Sequence, residues 1–256
     1  MTGGLMVRNL RVSYGGVHAL SGVDLRVRPG ELVGLIGPNG AGKTTFIDAV
    51  TGFVAYDGTV SLNGADLTRL PPHSRARRGL VRTWQSIELF DGLTVAENVA
   101  VAAEPGSGWI TMRETFTKGR AHVGAAEQAL VRLGLDTRAH TDAGELSQGE
   151  RKLVGVARAL ASGPQVICLD EPAAGLDSDE SVQLGKRLRS LVDTGIGMLL
   201  VDHDMALVLD VCDSVVVLDF GKVIASGPPA LVRENPAVIS AYLGKAAETA
   251  PAKESA

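Results

Sequence analysis

The stretch GPNGAGKT, residues 37–44, decides the fold of this chain. It matches the pattern G-x-x-x-x-G-K-[ST], and it stands between a predicted buried strand, residues 31–36, and a helix predicted to begin at about Lys43. Glycines let successive backbone N–H groups turn inward, and the start of a helix adds partial positive charge. A glycine-rich turn with an incidental lysine is the alternative, but such a turn needs neither flanking element. We therefore interpret the stretch as a phosphate-binding loop.

The side chains of this loop have separate predicted tasks. Lys43 is expected to reach the β and γ phosphates of a nucleotide and to act in catalysis, and the Thr44 hydroxyl is expected to hold Mg²⁺. The predicted nucleotide-binding residues of this segment are Gly37, Pro38, Asn39, Gly40, Ala41, Gly42, Lys43, Thr44 and Thr45.

Two carboxylates follow a second apolar strand, in the segment VICLDE at residues 166–171. Ligands bind at the carboxyl ends of the strands in open α/β sheets. Asp170 therefore fits a partner of Mg²⁺, and Glu171 fits the group that orients or deprotonates an attacking water. Alone, the pair would be interpreted as solvated carboxylates at a strand end, and the phosphate-binding loop is what favours the chemical role.

The segment LSQGE, residues 146–150, has two interpretations that hold together. Ser147 and Glu150 form the S-x-x-E pattern of a capping box, which predicts the start of a helix that continues through Leu160. A capped helix start is also a site for anions. The segment precedes the strand into Asp170 and Glu171 by one helix, so it belongs with the chemical motifs.

The composition excludes several classes of protein. The chain has 256 residues, 45% of them hydrophobic but only 4% aromatic, and a net charge of −4. No apolar run approaches the ~18 residues needed to span a bilayer, and residues 1–10 lack the apolar core of a signal peptide. The mild acidity argues against a nucleic-acid partner. Two cysteines make no disulfide framework, and Cys168 is expected to be a buried free thiol in a reduced, cytosolic environment.

The rest of the chain alternates between strand and helix signals. Strands are predicted over residues 6–12, 23–27, 31–36, 59–62, 166–169, 198–201 and 214–218. The middle, roughly 93–162, is predicted mostly helical, with one helix over 125–133. Another helix is predicted over 179–192, with its inner face formed by Val182, Leu188, Leu191 and Val192. Strand, helix and strand in sequence imply an α/β fold with a parallel sheet and right-handed crossovers.

With these motifs the sequence resembles the ATP-binding subunits of ABC transporters. LSQGE is similar to the signature of that family, usually written LSGGQ, and the resemblance extends over roughly residues 5–243. Gln148 and Glu150 depart from the family pattern, whereas Ser147 and Gly149 match it. The resemblance implies that ATP and Mg²⁺ are bound and that ATP is hydrolysed to ADP and phosphate.

The family also implies a division of the chain. A P-loop NTPase (RecA-like) core with a mostly parallel sheet and a small antiparallel β subdomain is expected at about 5–88 and 163–243. A helical signature subdomain is expected at about 89–162, and a disordered tail at 244–256.

Several residue roles rest on the resemblance alone. It implies that Tyr14 stacks on adenine, that Gln85 acts in catalysis and as a metal ligand, and that His203 is the switch histidine. It also implies that residues 174–177 form the D-loop. The further implied nucleotide contacts are Ser147, Gln148, Gly149, Glu150 and Asp177. Each role has a plain alternative.

Those alternatives are structural. Tyr14 fits an ordinary strand aromatic, Gln85 a surface residue and Asp177 a helix cap. A lone histidine is more often structural, but His203 stands between two aspartates after a predicted strand, which favours a contact with the γ phosphate.

Closer likenesses point to one transport group. Segments such as residues 51–53, 170–176, 203–205 and 241–244 look like the ATPase of bacterial branched-chain amino-acid importers. Residues 72–79 also resemble the ATPase of lipopolysaccharide export, and urea or amide import is a further alternative. The run of Arg75, Arg77 and Arg78 is interpreted as a solvated helix face rather than a lipid contact.

The resemblance implies an assembly at the cytoplasmic face of the cell membrane. A second ATPase subunit, identical or a paralogue, would pair head to tail with this chain, and two transmembrane permease subunits and, indirectly, an extracytoplasmic solute-binding protein complete it. Ile87, Leu89 and Phe90 suit either a groove for the membrane partner or packing inside the helical subdomain. A soluble ABC ATPase of translation or repair fits less well, since the chain has one motif set and no heptad run. A P-loop kinase or GTPase also fits less well, since kinase-like chains lack a segment like residues 146–150 together with His203, and the sequence has no guanine-specificity motif.

Overall fold

The computed structural model describes residues 3–84, 88–103 and 124–248. Its strands are β1 (Leu5–Tyr14), β2 (Val17–Val27), β3 (Leu32–Ile36), β4 (Asp57–Leu62), β5 (Ala65–Asp66), β6 (Leu80–Arg82), β7 (Val166–Asp170), β8 (Gly197–Val201), β9 (Ser214–Asp219) and β10 (Lys222–Gly227). Its helices are α1 (Lys43–Thr51), α2 (Pro72–Arg77), α3 (Val95–Ala103), α4 (residues 124–132), α5 (Gln148–Ala161), α6 (Ser178–Val192), α7 (Met205–Val211), α8 (Pro229–Arg233) and α9 (Pro236–Glu248).

A six-stranded sheet forms the centre, in the order β10-β9-β3-β8-β7-β6. Strands β9, β3, β8, β7 and β6 run parallel to one another. The edge strand β10 runs antiparallel to β9. All five residues are buried in each of β3, β7 and β8. Fully buried strands with continuous apolar sequence are typical of a parallel sheet covered on both faces. The predicted α/β fold is confirmed.

A smaller antiparallel sheet, in the order β2-β1-β4-β5, packs beside the first. The turn between β4 and β5 is Asn63-Gly64, with φ of 50° and 82°. Left-handed conformations at both central residues are what a type I′ hairpin turn requires, and Asn-Gly adopts them at low cost. The predicted strand and tight turn in this region are confirmed.

Alternation along the strands divides the apolar core in two. In β3, Leu32 and Ile36 face a cluster built with helices α3 to α7, whereas Val33 and Leu35 face a cluster built with α1 and the antiparallel sheet. Successive side chains of a strand point to opposite faces of the sheet. The central sheet therefore holds the helical layer on one side and α1 on the other.

Two sequence interpretations on helices are wrong in part. On α6, Val182 is 47% exposed, whereas Leu184 is buried together with Leu188, because residues four apart share a helix face and Val182 lies off it. On α2, Arg75 is only 2% exposed and does not belong to a solvated face. Its guanidinium donates hydrogen bonds to the carbonyl oxygens of Ala49, at 3.0 Å, and Val50, at 2.6 Å, in the last turn of α1.

The C-terminal helix, α9, extends into the segment that was predicted as a disordered tail. The side chain of Asn235, directly before the helix, accepts a hydrogen bond from the N–H of Ala237 at 2.9 Å and so satisfies one donor of the first turn. The helix continues to Glu248, so a disordered tail from residue 244 is wrong over 244–248, where alanines favour helix. Residues 249–256 lie outside the described part. Within the described ranges, no helix has both the length and the apolar character to cross a membrane.

Candidate nucleotide site

The predicted site residues follow the carboxyl ends of neighbouring parallel strands. The phosphate-binding loop follows β3, Asp170 ends β7 and pairs with Val201 of β8, and His203 stands two residues beyond β8. Parallel strands end at the same edge of their sheet, where open α/β folds bind ligands. The structure thus brings the loop, Asp170, Glu171 and His203 to one edge.

The backbone conformation of the phosphate-binding loop and its close packing require glycine at three positions. Gly37, Gly40 and Gly42 have φ of 153°, 80° and 104°. A Cβ at Gly37 would overlap the carbonyl oxygen of Leu218, and one at Gly42 would lie 2.7 Å from the carbonyl oxygen of Ala19. One side of the loop therefore fits closely against β9 and β2, and its opposite side is the predicted phosphate-binding surface.

Lys43 is buried beneath this loop, with only 7% of the residue exposed. Its ammonium donates hydrogen bonds to the carbonyl oxygens of Gly37, at 2.7 Å, and Pro38, at 3.2 Å. The first N–H groups of a helix point toward its start, which in α1 is the phosphate-binding loop. Among the residues that the structure describes, no side chain caps this helix start. A buried ammonium and an uncapped helix start suit the phosphate chain of a nucleotide.

Glu171 and His203 form the second part of the site. His203 Nδ1 lies 3.8 Å from Glu171 Oε2 and 3.5 Å from Asp202 Oδ1. Glu171 has φ of 46°, a left-handed conformation that is rare outside glycine, asparagine and aspartate. The Asp202 carboxylate is fully buried and accepts hydrogen bonds from the N–H groups of Ala173, at 3.1 Å, and Asp204, at 3.0 Å.

Asp170 has an arginine partner that the sequence analysis missed. Its carboxylate is 6% exposed, and Oδ2 accepts a hydrogen bond from Arg82 Nη2 at 2.7 Å. Its N–H donates to the Thr83 hydroxyl at 3.4 Å. The ion pair takes one carboxylate oxygen and leaves the second for another ligand. The available signal was a charged residue, Arg82, two residues before Trp84.

A second missed cation comes from the helical side. Lys152 of α5 is only 7% exposed. Burial lowers the pKa of its ammonium, and the negative charges of Asp202, Glu171 and Asp170 oppose that shift. The lysine therefore adds positive charge beside the carboxylates of the site, from the same helix that begins at the LSQGE segment.

The LSQGE segment is a capping box, as predicted. The Ser147 hydroxyl accepts from the N–H of Glu150 at 3.2 Å, and Glu150 Oε2 accepts from the N–H of Ser147 at 2.9 Å. Glu150 Oε1 also accepts from Arg138 Nε at 2.9 Å. Ser147 itself is exposed to solvent.

This segment packs against the predicted D-loop. A Cβ at Gly175 would overlap the Gln148 amide, and one at Gly149 would lie 2.9 Å from Glu180 Oε1. Asp177 is the N-cap of α6 and forms a second capping box with Glu180. The departure from the family pattern at residue 148 is therefore a contact with the D-loop.

The other residues predicted for the site are Tyr14 and Gln85. Tyr14 ends β1 and is 51% exposed, on the hairpin whose β2 strand approaches Gly42 at Ala19. Gln85 and Ile87 lie outside the described residues. Burial raises the pKa of the Tyr242 hydroxyl, on α9, to about 12.

A phosphate-binding loop before a helix, with acidic residues at the ends of adjacent parallel strands, defines a P-loop NTPase. The model of the family described as "ABC transporter" matches residues 20–174, and that of the "branched-chain amino acid ATP-binding cassette transporter" matches residues 222–248. The chain belongs to the ATP-binding subunits of the ABC transporter family, which are ATPases.

Individual relatives match this chain along nearly its full length. The "High-affinity branched-chain amino acid transport ATP-binding protein LivG" of Escherichia coli is 40% identical, with 94% of this chain and 98% of the relative covered. The "Lipopolysaccharide export system ATP-binding protein LptB" of Haemophilus influenzae is 38% identical, with 94% of this chain and 97% of the relative covered. The ADP conformation of MJ1267, an ATP-binding cassette of an ABC transporter, has a TM-score of 0.84 at 31% identity and covers 95% of this chain and 100% of that chain.

Proposed function

We propose that this chain hydrolyses ATP to drive an importer of branched-chain amino acids at the cytoplasmic face of the cell membrane. The observation that carries the ATPase part is the assembly of Lys43, Asp170, Glu171 and His203 around one edge of the parallel sheet. The cargo rests on the likeness to LivG and on the family model that matches residues 222–248.

The residues of the site divide the work of phosphoryl transfer. The phosphate-binding loop and Lys43 hold the β and γ phosphates, and Tyr14 stacks on the adenine. Glu171 orients and deprotonates the attacking water, and His203, 3.8 Å from it, contacts the γ phosphate. Gln85 is proposed to sense the nucleotide from its position after β6.

The oxygens at the site fit Mg²⁺, which prefers hydroxyl and carboxylate ligands. The Thr44 hydroxyl and the buried Asp170 carboxylate are the proposed protein ligands, together with Gln85. If bound there, the ion would neutralise negative charge on the phosphates during phosphoryl transfer.

A second copy or a paralogue completes the site. Ser147 is exposed at the start of α5, on the helical layer, and suits a contact with the γ phosphate of a nucleotide held by a partner subunit. The proposed trans contacts are Ser147, Gln148, Gly149, Glu150 and Asp177. Closure of the pair supplies charge stabilisation to the transition state, and loss of the γ phosphate lets the pair reopen.

Two permease subunits are the proposed membrane partners, with a solute-binding protein acting through them. A groove of about 520 Å³ lies between β6, α3 and α5, with Trp84 and Glu88 at its edge. Phe90 is 52% exposed and suits this contact, whereas Leu89 is 9% exposed and packs in the core. Leu89 therefore follows the packing alternative, and Phe90 is the residue proposed for the contact with the membrane partner.

A tagged pull-down from native membranes in mild detergent tests the transporter assignment. Mass spectrometry should find two polytopic membrane proteins, with a second ATPase if the pair is a heterodimer. Recovery of no membrane protein under ATP-trapped conditions would contradict the proposal and favour a soluble ABC ATPase.

The same pull-down decides between cargoes. Lipopolysaccharide export is the second candidate, since LptB is 38% identical to this chain. Membrane subunits that co-purify with a solute-binding protein support amino-acid import. Partners that also bind lipopolysaccharide support export.

A further inference from the structure

Arg82 is a buried arginine that holds two carboxylates at once. Its side chain is 6% exposed. Nη2 donates to Asp170 Oδ2 at 2.7 Å, and Nη1 donates to Asp48 Oδ1. Charge-assisted bonds of this kind are short and directional, so each carboxylate is held in one orientation.

The two carboxylates belong to the two elements that carry the proposed metal ligands. Asp170 is itself the ligand at the end of β7. Asp48 lies on α1, four residues after Thr44, and residues four apart share a helix face. Arg82 therefore ties the helix that carries the Thr44 hydroxyl to the strand that carries the Asp170 carboxylate.

The guanidinium also contacts an exposed aromatic pair. It stands 4.4 Å from the ring centroid of Trp84 and 5.9 Å from that of Phe53. The two rings meet edge to face at 5.0 Å and are about half exposed. A shift of Arg82 would change the environment of Trp84, and Trp84 borders the groove beside β6.

A purely stabilising role fits this arrangement poorly. Buried ion pairs are often no more stabilising than apolar residues of the same volume. Within the part of the chain that the structure describes, the buried Nε of Arg82 has no hydrogen-bond partner. The arginine is thus placed for its two carboxylates and not for complete satisfaction of its own donors.

We propose that Arg82 is a positioning residue that sets the separation and orientation of Thr44 and Asp170 for Mg²⁺. The assignment rests on the proposed ATPase function of the same site. Residues that orient metal ligands from outside the coordination sphere typically contribute about 10–100-fold to metal affinity. Arg82 acts on Asp170 directly and on Thr44 through α1.

The test measures Mg²⁺ dependence of nucleotide binding, without turnover. Binding of the β,γ-imido analogue of ATP is measured by calorimetry in EDTA and over a Mg²⁺ titration, for the unchanged protein, Arg82→Met, Arg82→Lys and Asp48→Asn. Arg82→Met should raise the Mg²⁺ concentration at half-effect by about 10–100-fold and leave binding in EDTA unchanged. Asp48→Asn keeps the ion pair between Arg82 and Asp170, so it should raise the Mg²⁺ concentration at half-effect by a smaller factor.

A spectroscopic readout separates positioning from folding. With Trp109→Phe, Trp84 is the remaining tryptophan, since the chain has two. Its emission should respond to Mg²⁺ with the analogue bound, and Arg82→Met should remove that response. Arg158→Met is the matched control: this arginine donates to the Glu88 carbonyl oxygen at 3.0 Å and stands 5.7 Å from the Phe90 ring, in the same groove. Its Mg²⁺ titration should not change.

Two outcomes would overturn the inference. One is a Mg²⁺ titration of Arg82→Met that matches that of Arg158→Met. The other is an equal loss of binding in EDTA and in Mg²⁺, which would assign Arg82 to the fold. If Arg82→Met does not fold, Arg82→Lys and Asp48→Asn decide by the same criteria. If the unchanged protein binds no nucleotide at all, the proposed function itself fails, and that result is distinct from either outcome.

Discussion

At the scale of single residues, the site depends on backbone conformations that side chains normally avoid. Glu171 adopts a left-handed conformation directly after the buried strand β7, and its N–H donates to the Val201 carbonyl oxygen at 2.7 Å. Such strain typically costs about 1–3 kcal/mol and persists where the surrounding structure over-determines it. The conformation aims the carboxylate out of the sheet edge, beside His203.

The glycines of the phosphate-binding loop give a prediction with an internal control. Gly37→Ala and Gly40→Ala both add a Cβ at positive φ, which costs about 1–2 kcal/mol. At Gly40 the Cβ would meet no described atom within 4 Å, whereas at Gly37 it would overlap the Leu218 carbonyl oxygen. In urea unfolding and calorimetry, Gly37→Ala should lose more stability than Gly40→Ala and should also lose nucleotide binding. Equal losses in the two variants would contradict this account of the loop.

At the scale of elements, Arg75 joins α2 to the end of α1. It donates to carbonyl oxygens of α1, to the Leu70 carbonyl oxygen at 2.8 Å and to the Tyr56 hydroxyl at 3.0 Å. The last carbonyl groups of a helix have no partner within the helix. The arginine therefore fixes the C-terminal end of the helix whose N-terminal end forms the phosphate-binding loop.

This role predicts a large loss of stability on truncation. Arg75→Ala should lower the free energy of unfolding by at least about 3 kcal/mol, because each orphaned buried acceptor costs about 1–3 kcal/mol. Arg78→Ala is the control on the same segment, exposed and with one long contact of 3.4 Å to the Asp66 carbonyl oxygen, and it should change stability by about 0.5 kcal/mol or less. A similar loss for both variants in urea unfolding would contradict the structural role of Arg75.

The elements that sequence patterns predicted are the long or strongly apolar ones. Strands β3 and β8 are apolar throughout, β7 is apolar up to Asp170, and α5 and α6 begin at S-x-x-E and D-x-x-E boxes. The short strand β6 was missed because three residues carry too little periodicity and one of them is Arg82. Strand β10 was missed because its residues are exposed or only partly buried, and it is a strand through its antiparallel pairing with β9.

The same limit applies to the site. The loop and the two carboxylates were predicted because their spacing encodes local geometry. Arg82 and Lys152 reach the site from distant parts of the chain, so only the assembled fold reveals them.

At the scale of the whole molecule, the proposed role of the LSQGE segment is in hydrolysis and not in nucleotide binding by its own chain. Ser147 is exposed and lies on the helical layer, and its proposed phosphate contact is to a partner subunit. Ser147→Arg should therefore block ATP hydrolysis and leave nucleotide binding by the same chain intact. Ser147→Thr, which keeps a capping hydroxyl, should retain hydrolysis. If Ser147→Arg loses nucleotide binding as well, the segment acts within one chain or serves the fold.

The most direct test of the account uses Glu171→Gln. Removal of the proposed general base should lower ATP turnover by about 10²–10⁴-fold, while the phosphate-binding loop still holds the nucleotide. With saturating ATP and Mg²⁺, light scattering should then report a dimer, twice the 26.6 kDa of one chain. A monomer under these conditions, with ATP bound, would contradict the claim that two copies enclose the nucleotide between them.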